Sequence, residues 1–277
     1  MKASRLFTVL AATALSLGTC AWVVSGYFEQ KFLGTGPNGP QTPASLGVPF
    51  ERVAIASDKR HLDAYLVRAP KSCRPTTAVL IFHGVGETIS YWPKAQQFLF
   101  DRCVSSVVFD YSGHGDSSKA GSVSHLDADA LAAYSYFTVR FRGTPRRCVL
   151  GHSMGNGPML SAIAGFKPQP TCVVVANAFT SLRDLGVHGG APRLLMAMVP
   201  DYWDNVINVT SVHTPLLIVY SDGDSVVPAA MGERIFEAAS EPKRRLLVHG
   251  FRHNALYRHP TAGWWAPVLD FIEGERP

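Results

Sequence analysis

Gly151-His152-Ser153-Met154-Gly155 is a G-x-S-x-G run set directly after the apolar stretch Cys148-Val149-Leu150 and before a segment of helical character. A serine on a sharp strand-to-helix turn presents its hydroxyl at the carboxyl edge of a sheet, where it can act as a nucleophile. Glycines on either side leave room for the adjoining strand and helix, and the dipole of the following helix is aimed at an oxyanion. Upstream, Leu80-Ile81-Phe82 runs into His83-Gly84-Val85-Gly86, a glycine-rich turn able to point backbone N–H groups at developing negative charge. With Ser153 as nucleophile, the oxyanion is expected between the amides of Val85 and Met154. His83 is expected to orient this turn rather than to move protons.

Such a serine needs a histidine base, and the histidine needs a carboxylate to hold it. Leu216-Leu217-Ile218-Val219-Tyr220 is followed by Ser221-Asp222-Gly223-Asp224, and either aspartate can fill that role. His253, in Gly250-Phe251-Arg252-His253-Asn254, follows the strand that ends at Val248. Its rivals are placed less well: His249 belongs to the strand end, and His259 precedes Pro260 at a helix start. The chain order Ser, Asp, His is the one used where the nucleophile sits on a strand-to-helix elbow.

These residues must be carried by alternating strands and helices. Phe50 to Ile55 and Leu62 to Val67 read as two strands around the polar Asp58-Lys59-Arg60 turn. Short apolar runs follow at Ala78 to Phe82, Val104 to Phe109, Cys148 to Gly151, Cys172 to Val175, Leu216 to Tyr220 and Arg245 to Val248. Helical stretches are expected at Tyr91 to Asp101, Leu126 to Phe141, Met154 to Phe166, Ala229 to Ala239 and Thr261 to Glu273. Continuous apolar runs are strands covered on both faces, so the pattern predicts one open, mostly parallel α/β sheet flanked by helices. The connection between the sixth and seventh strands, about 40 residues, is far longer than the usual few. Its residues 179–213 are expected to form a cap over the site or a subdomain packed on the surface.

The chain from about Pro49 onward resembles the α/β-hydrolase superfamily, in particular its small serine hydrolases. His83-Gly84-Val85-Gly86-Glu87-Thr88 is similar to the oxyanion turn of monoacylglycerol lipases, and Asp110 to Ser117 to the turn after the fourth strand, with Ser112 in the usual arginine position. Gly151 to Pro158 resembles the elbow of membrane-associated depalmitoylating hydrolases, with Asn156 where they carry Ser or Thr. Asp201 to Asn205, ahead of Pro215 to Ile218, is also similar to that group. The resemblance implies an α/β-hydrolase fold, Asp224 rather than Asp222 as the acid, and His253 as the base. It also sets the strands after Cys73 and Cys103 side by side, and those of Cys148 and Cys172 likewise, implying Cys73–Cys103 and Cys148–Cys172 disulfides. The implied activity is hydrolysis of carboxylic esters or thioesters of acyl chains through an acyl-enzyme, with no metal or organic cofactor. The same three residues would serve a peptidase or amidase, whereas a non-catalytic binding domain of this fold would be expected to have lost one of them.

Composition narrows the rest. With 277 residues, 47% hydrophobic and 17% charged, the chain has material for a large core, which excludes a disordered or disulfide-only scaffold. The net charge of +5 comes without a Lys/Arg run, so nucleic acid is not an expected partner. Lys2 and Arg5 precede an uncharged stretch, Leu6 to Phe28, with the features of a signal peptide and nearly the length of a membrane span. Residues 1–28 are therefore expected to export the chain or anchor it to a membrane, 29–49 to form a Gly/Pro-rich linker, and 50–277 to form the hydrolase domain. The expected substrate is a small-molecule or lipid-like acyl ester, met outside the cytoplasm. Oligomeric state has no signature in the sequence.

Overall fold

The apolar runs become eight strands: β1 (Glu51–Ser57), β2 (Arg60–Val67), β3 (Thr77–Phe82), β4 (Ser105–Phe109), β5 (Arg146–His152), β6 (Cys172–Ala176), β7 (Leu216–Ser221) and β8 (Lys243–Val248). The computed structural model describes residues 41–74, 76–119 and 122–274, together with Thr19, Val23, Gly26, Tyr27, Gln30, Gly36, Asn38 and Gly39. Most of the expected targeting segment, Leu6 to Phe28, and part of the linker thus lie outside the described residues. Among the described residues no helix is long and apolar enough to cross a membrane.

One sheet joins the strands in the order β1-β2-β4-β3-β5-β6-β7-β8. β1 and β2 are antiparallel to each other, β2 runs antiparallel to β4, and every pairing from β4 to β8 is parallel. Side chains alternate across the pleat, so Val173 and Val175 join one buried cluster while Val174 and Ala176 join the other. Helices cover both clusters. The helices are α1 (Pro93–Asp101), α2 (Ser124–Arg140), α3 (Asn156–Ala162), α4 (Leu182–His188), α5 (Arg193–Met196), α6 (Asn205–Asn208), α7 (Ala229–Ala238), α8 (Ala255–Arg258) and α9 (Ala262–Glu273). Residues of α2, α3 and α7 pack into the first cluster, and residues of α1 and α9 into the second. Because β3, β5, β7 and β8 point the same way, the turns that follow them all open on one edge of the sheet. In open α/β sheets that edge is where ligands bind.

The helix expected from Met154 to Phe166 is instead broken into a 3-10 turn at Ser153–Gly155, α3, and a second 3-10 turn at Ile163–Gly165. Pro158 is the third residue of α3, where a missing N–H costs no helical bond. The segment between β6 and β7 carries α4, α5 and α6, and an isolated bridge between Ser181 and Asp204 closes its base. Trp203 anchors it. Its indole is buried against Gly157 and donates from Nε1 to Asp127 Oδ1 of α2 at 3.0 Å. Met196 and Val199 are buried as well, whereas Leu194 is 83% exposed.

Two disulfides tie the strands at their amino ends. Cys148 and Cys172 are direct partners across β5 and β6 with Cα atoms 4.7 Å apart. Cys73 and Cys103, ahead of β3 and β4, have Cα atoms 5.7 Å apart. Both distances fall in the range a disulfide spans, and two such bonds suggest an oxidising, extracytoplasmic environment. Closing a loop of 30 residues removes about 3–4 kcal/mol of chain entropy from the unfolded state. The Cys73→Ser, Cys103→Ser double variant is accordingly expected to lose about 3 kcal/mol in urea unfolding. An unchanged midpoint and slope would show that this bond does not stabilise the protein.

Candidate active site

Ser153 takes φ +52°, a left-handed conformation that a residue with a Cβ rarely adopts. The chain can turn this sharply because Gly155 lacks a side chain: a Cβ there would collide with the Phe82 carbonyl. One at Gly151 would strike the Asn156 amide. Asn156 then pins the elbow, donating from Nδ2 to the Ser153 carbonyl at 3.0 Å and to the Ala176 carbonyl of β6 at 2.9 Å. In the sequence Asn156 stands out only as a departure from the resemblance. Its fixing role depends on the end of β6, 20 residues on.

The serine hydroxyl meets His253, with Oγ and Nε2 2.8 Å apart. On the other side of the ring, Nδ1 donates to Asp224 Oδ2 at 2.6 Å. Asp224 Oδ1 accepts from the Val226 and Val227 amides at 2.8 and 2.9 Å. Burial alone would raise the Asp224 carboxyl, but the bonds from His253 and from those amides outweigh it and hold the group below the usual carboxylate range. Asp222, the other candidate, is engaged elsewhere: its Oδ2 lies 2.6 Å from His249 Nδ1 and its Oδ1 accepts from the Gly250 amide at 2.7 Å. The structure thus brings Ser153, His253 and Asp224 into one hydrogen-bonded line and leaves Asp222 outside it. Val85 and Met154 both border the cavity above Ser153, and Gly84 packs close enough for a Cβ to sit 3.2 Å from the serine Cβ.

The family model described as "Serine aminopeptidase, S33" matches residues 74–207. Protein Rv2307c of Mycobacterium tuberculosis is 32% identical over 260 residues, covering 92% of this chain and 90% of its own. The chain belongs to the α/β-hydrolase superfamily. The membrane protein YNL320W of Saccharomyces cerevisiae is 23% identical over 282 residues, covering 98% of this chain and 97% of its own. Among solved structures, the Pyrococcus furiosus esterase Pf2001 superposes with a TM-score of 0.69 at 18% identity, covering 87% of this chain and 97% of its own.

Beneath the serine, this α/β-hydrolase carries a buried pair that the sequence analysis did not anticipate. Glu87 Oε2 accepts from the Gly84 amide at 3.1 Å and from Trp92 Nε1 at 2.9 Å, while Oε1 lies 3.2 Å from His152 Nδ1. His152 Nε2 in turn donates to the His253 carbonyl at 3.0 Å, beside Asn177 Nδ2 at 3.1 Å. Burial works against both charges, yet each overcomes it through the other: His152 is raised above its ordinary value and Glu87 is lowered. His83 is fully buried with Nδ1 2.9 Å from the Gly84 carbonyl and Nε2 3.2 Å from Asp110 Oδ1, in keeping with a turn-orienting residue. Among the described residues no group of three or more His, Cys, Asp or Glu could hold a metal ion.

The cavity over Ser153 holds about 260 Å³. Phe179, Leu185 and Val226 give it an apolar side, so the segment between β6 and β7 supplies part of the wall. Tyr91, Tyr257 and Arg258 complete the other side.

Proposed function

We propose that the protein is a serine hydrolase that cleaves carboxylic esters or thioesters of acyl chains. The observation that carries this reading is the hydrogen-bonded line Ser153–His253–Asp224 at the floor of a partly apolar cavity. His253 takes the serine proton as Oγ attacks the acyl carbon, and Asp224 steadies the imidazolium that forms. The Val85 and Met154 amides receive the oxyanion. The carbonyl re-forms as His253 protonates the departing alcohol or thiol, and water then releases the acid from Ser153 by the same steps. The chemistry needs no metal or organic cofactor. The segment between β6 and β7 caps the acyl chain, a reading supported by Phe179 and Leu185 in the cavity wall, with the buried Trp203 as its foot. Residues 1–28 export the domain or hold it at a membrane, in line with the two disulfides.

Full-length protein is expected to hydrolyse p-nitrophenyl esters, with an optimum at short or medium chains given the cavity volume. A fluorophosphonate should label it at Ser153, read by peptide mapping. Failure to turn over any ester from acetate to palmitate would overturn the esterase reading. The S33 match favours a second one, a peptidase on the same residues. Turnover of aminoacyl arylamides without turnover of esters would establish that alternative.

A further inference from the structure

The two sides of the cavity belong to opposite faces of the sheet. Phe179 and Met154 belong to the buried cluster on one face, and Leu185 packs against it. Tyr257 belongs to the cluster on the other face, and Tyr91 packs against that one, its ring 6.2 Å from Tyr257. Arg258 extends the second wall, with its guanidinium carbon 5.9 Å from the Tyr257 ring centroid. It is the cation at this mouth, hydrogen-bonded to Tyr257; the Glu87 carboxylate acts on it from farther in but is buried and committed to Gly84, Trp92 and His152. Among the described residues Arg258 forms no ion pair with a carboxylate.

Chemistry orients the substrate between these walls. His253 must hand its proton to the leaving oxygen or sulfur, so the leaving group lies beside His253. Asn254, Tyr257 and Arg258 follow His253 in the chain and line the same cavity. Resting on the hydrolase reading above, we propose that Arg258 selects esters or thioesters whose leaving alcohol or thiol carries a negative charge, a carboxylate or a phosphate, while an uncharged acyl chain lies along Phe179, Leu185 and Val226. Arginine suits both anions because its planar fork meets two oxygens at once.

Three butanoyl-scale esters test this in the full-length protein: p-nitrophenyl butyrate, its 3-carboxy-4-nitrophenyl counterpart, and the mono-p-nitrophenyl ester of succinate. The carboxylate is on the leaving group in the second and on the acyl group in the third. The ratio of kcat/KM for the carboxylated leaving group over the neutral one is expected to be roughly 5- to 30-fold, the range of one partly exposed charge-assisted contact. It should fall with added salt. Arg258→Gln should collapse the ratio toward one, and Arg258→Lys should retain part of it. The butyrate ester of 2-hydroxyethyl phosphate, compared with the butyrate ester of glycolate, then tells whether a phosphate or a carboxylate on the departing alcohol is preferred. A ratio near one in the wild type, or one that Arg258→Gln leaves intact, overturns the inference while the hydrolase reading stands. A stronger preference for the succinate ester overturns the leaving-group placement. Absence of turnover on all the esters, together with none on p-nitrophenyl esters from acetate to palmitate, refutes the ester-hydrolase reading on which the inference rests.

Discussion

Ser153→Ala is expected to lower ester turnover by roughly a million-fold, and Asp224→Asn by roughly ten-thousand-fold, while Asp222→Asn stays close to wild type. The first loss follows from removing the atom that His253 activates at 2.8 Å. The second is subtler. An asparagine at 224 can still accept from the Val226 and Val227 amides through its carbonyl oxygen, so the loop keeps its shape. What it then turns toward His253 Nδ1 is an NH2 donor, which favours the tautomer protonated on Nε2. That tautomer cannot take the serine proton. Asp222 offers no rescue, because its two oxygens are engaged by His249 and Gly250. Steady-state kinetics with p-nitrophenyl butyrate, alongside thermal unfolding to show an intact fold, checks all three. Equal losses at Asp222 and Asp224 would refute the assignment of the acid.

Legibility of this site in the sequence follows the range of the interactions that build it. The elbow, the oxyanion turn and the histidine loop each advertise themselves within a few residues, as a strand's apolar run meeting glycines at fixed offsets. The parallel order of the sheet brings those separate signals to one edge, and Ser153, Asp224 and His253 come to lie within hydrogen-bond reach of one another. Strand limits moved by only a residue or two, for example from Phe50–Ile55 to Glu51–Ser57 for β1. The choice between Asp222 and Asp224 was not local. A residue-by-residue reading leaves both open, and only the resemblance to α/β-hydrolases favoured Asp224. Glu87 and His152 escaped because nothing in either segment marks a partner. Glu87 looks like one more polar turn residue and His152 fills the free position of G-x-S-x-G. Their contact exists only because β3 and β5 are adjacent in the sheet although far apart in the chain.

That pair carries the largest expected effect on stability. Glu87→Ala is expected to cost about 3–5 kcal/mol, the usual loss when one partner of a buried ion pair is removed, because it also strips the acceptor from Gly84 and Trp92. The pH dependence separates charge from packing. His152 is raised in the folded protein, so its contribution is full below the unfolded value near ~6.5 and is lost as pH rises through the folded value. Glu87 is lowered, so its contribution is full above the unfolded value near ~4.3 and is lost as pH falls through the folded value. The pair therefore stabilises most between those two limits. Glu87→Gln is the informative variant. Its amide oxygen can still accept from Gly84 and Trp92, and its NH2 can donate to a neutral His152 Nδ1, leaving Nε2–H on the His253 carbonyl. Burial without a carboxylate now disfavours the imidazolium, so the unfolded state binds the proton more readily and the variant loses stability as pH falls below ~6.5. Urea unfolding at pH 8 and pH 5.5 should show a small deficit at the first and a larger one at the second. Since His152 holds the His253 carbonyl and Glu87 holds the oxyanion turn, kcat should fall with stability on acidification while KM changes little. A deficit that is the same at both pH values would mean that Glu87 acts through shape alone and that His152 is neutral in the native enzyme.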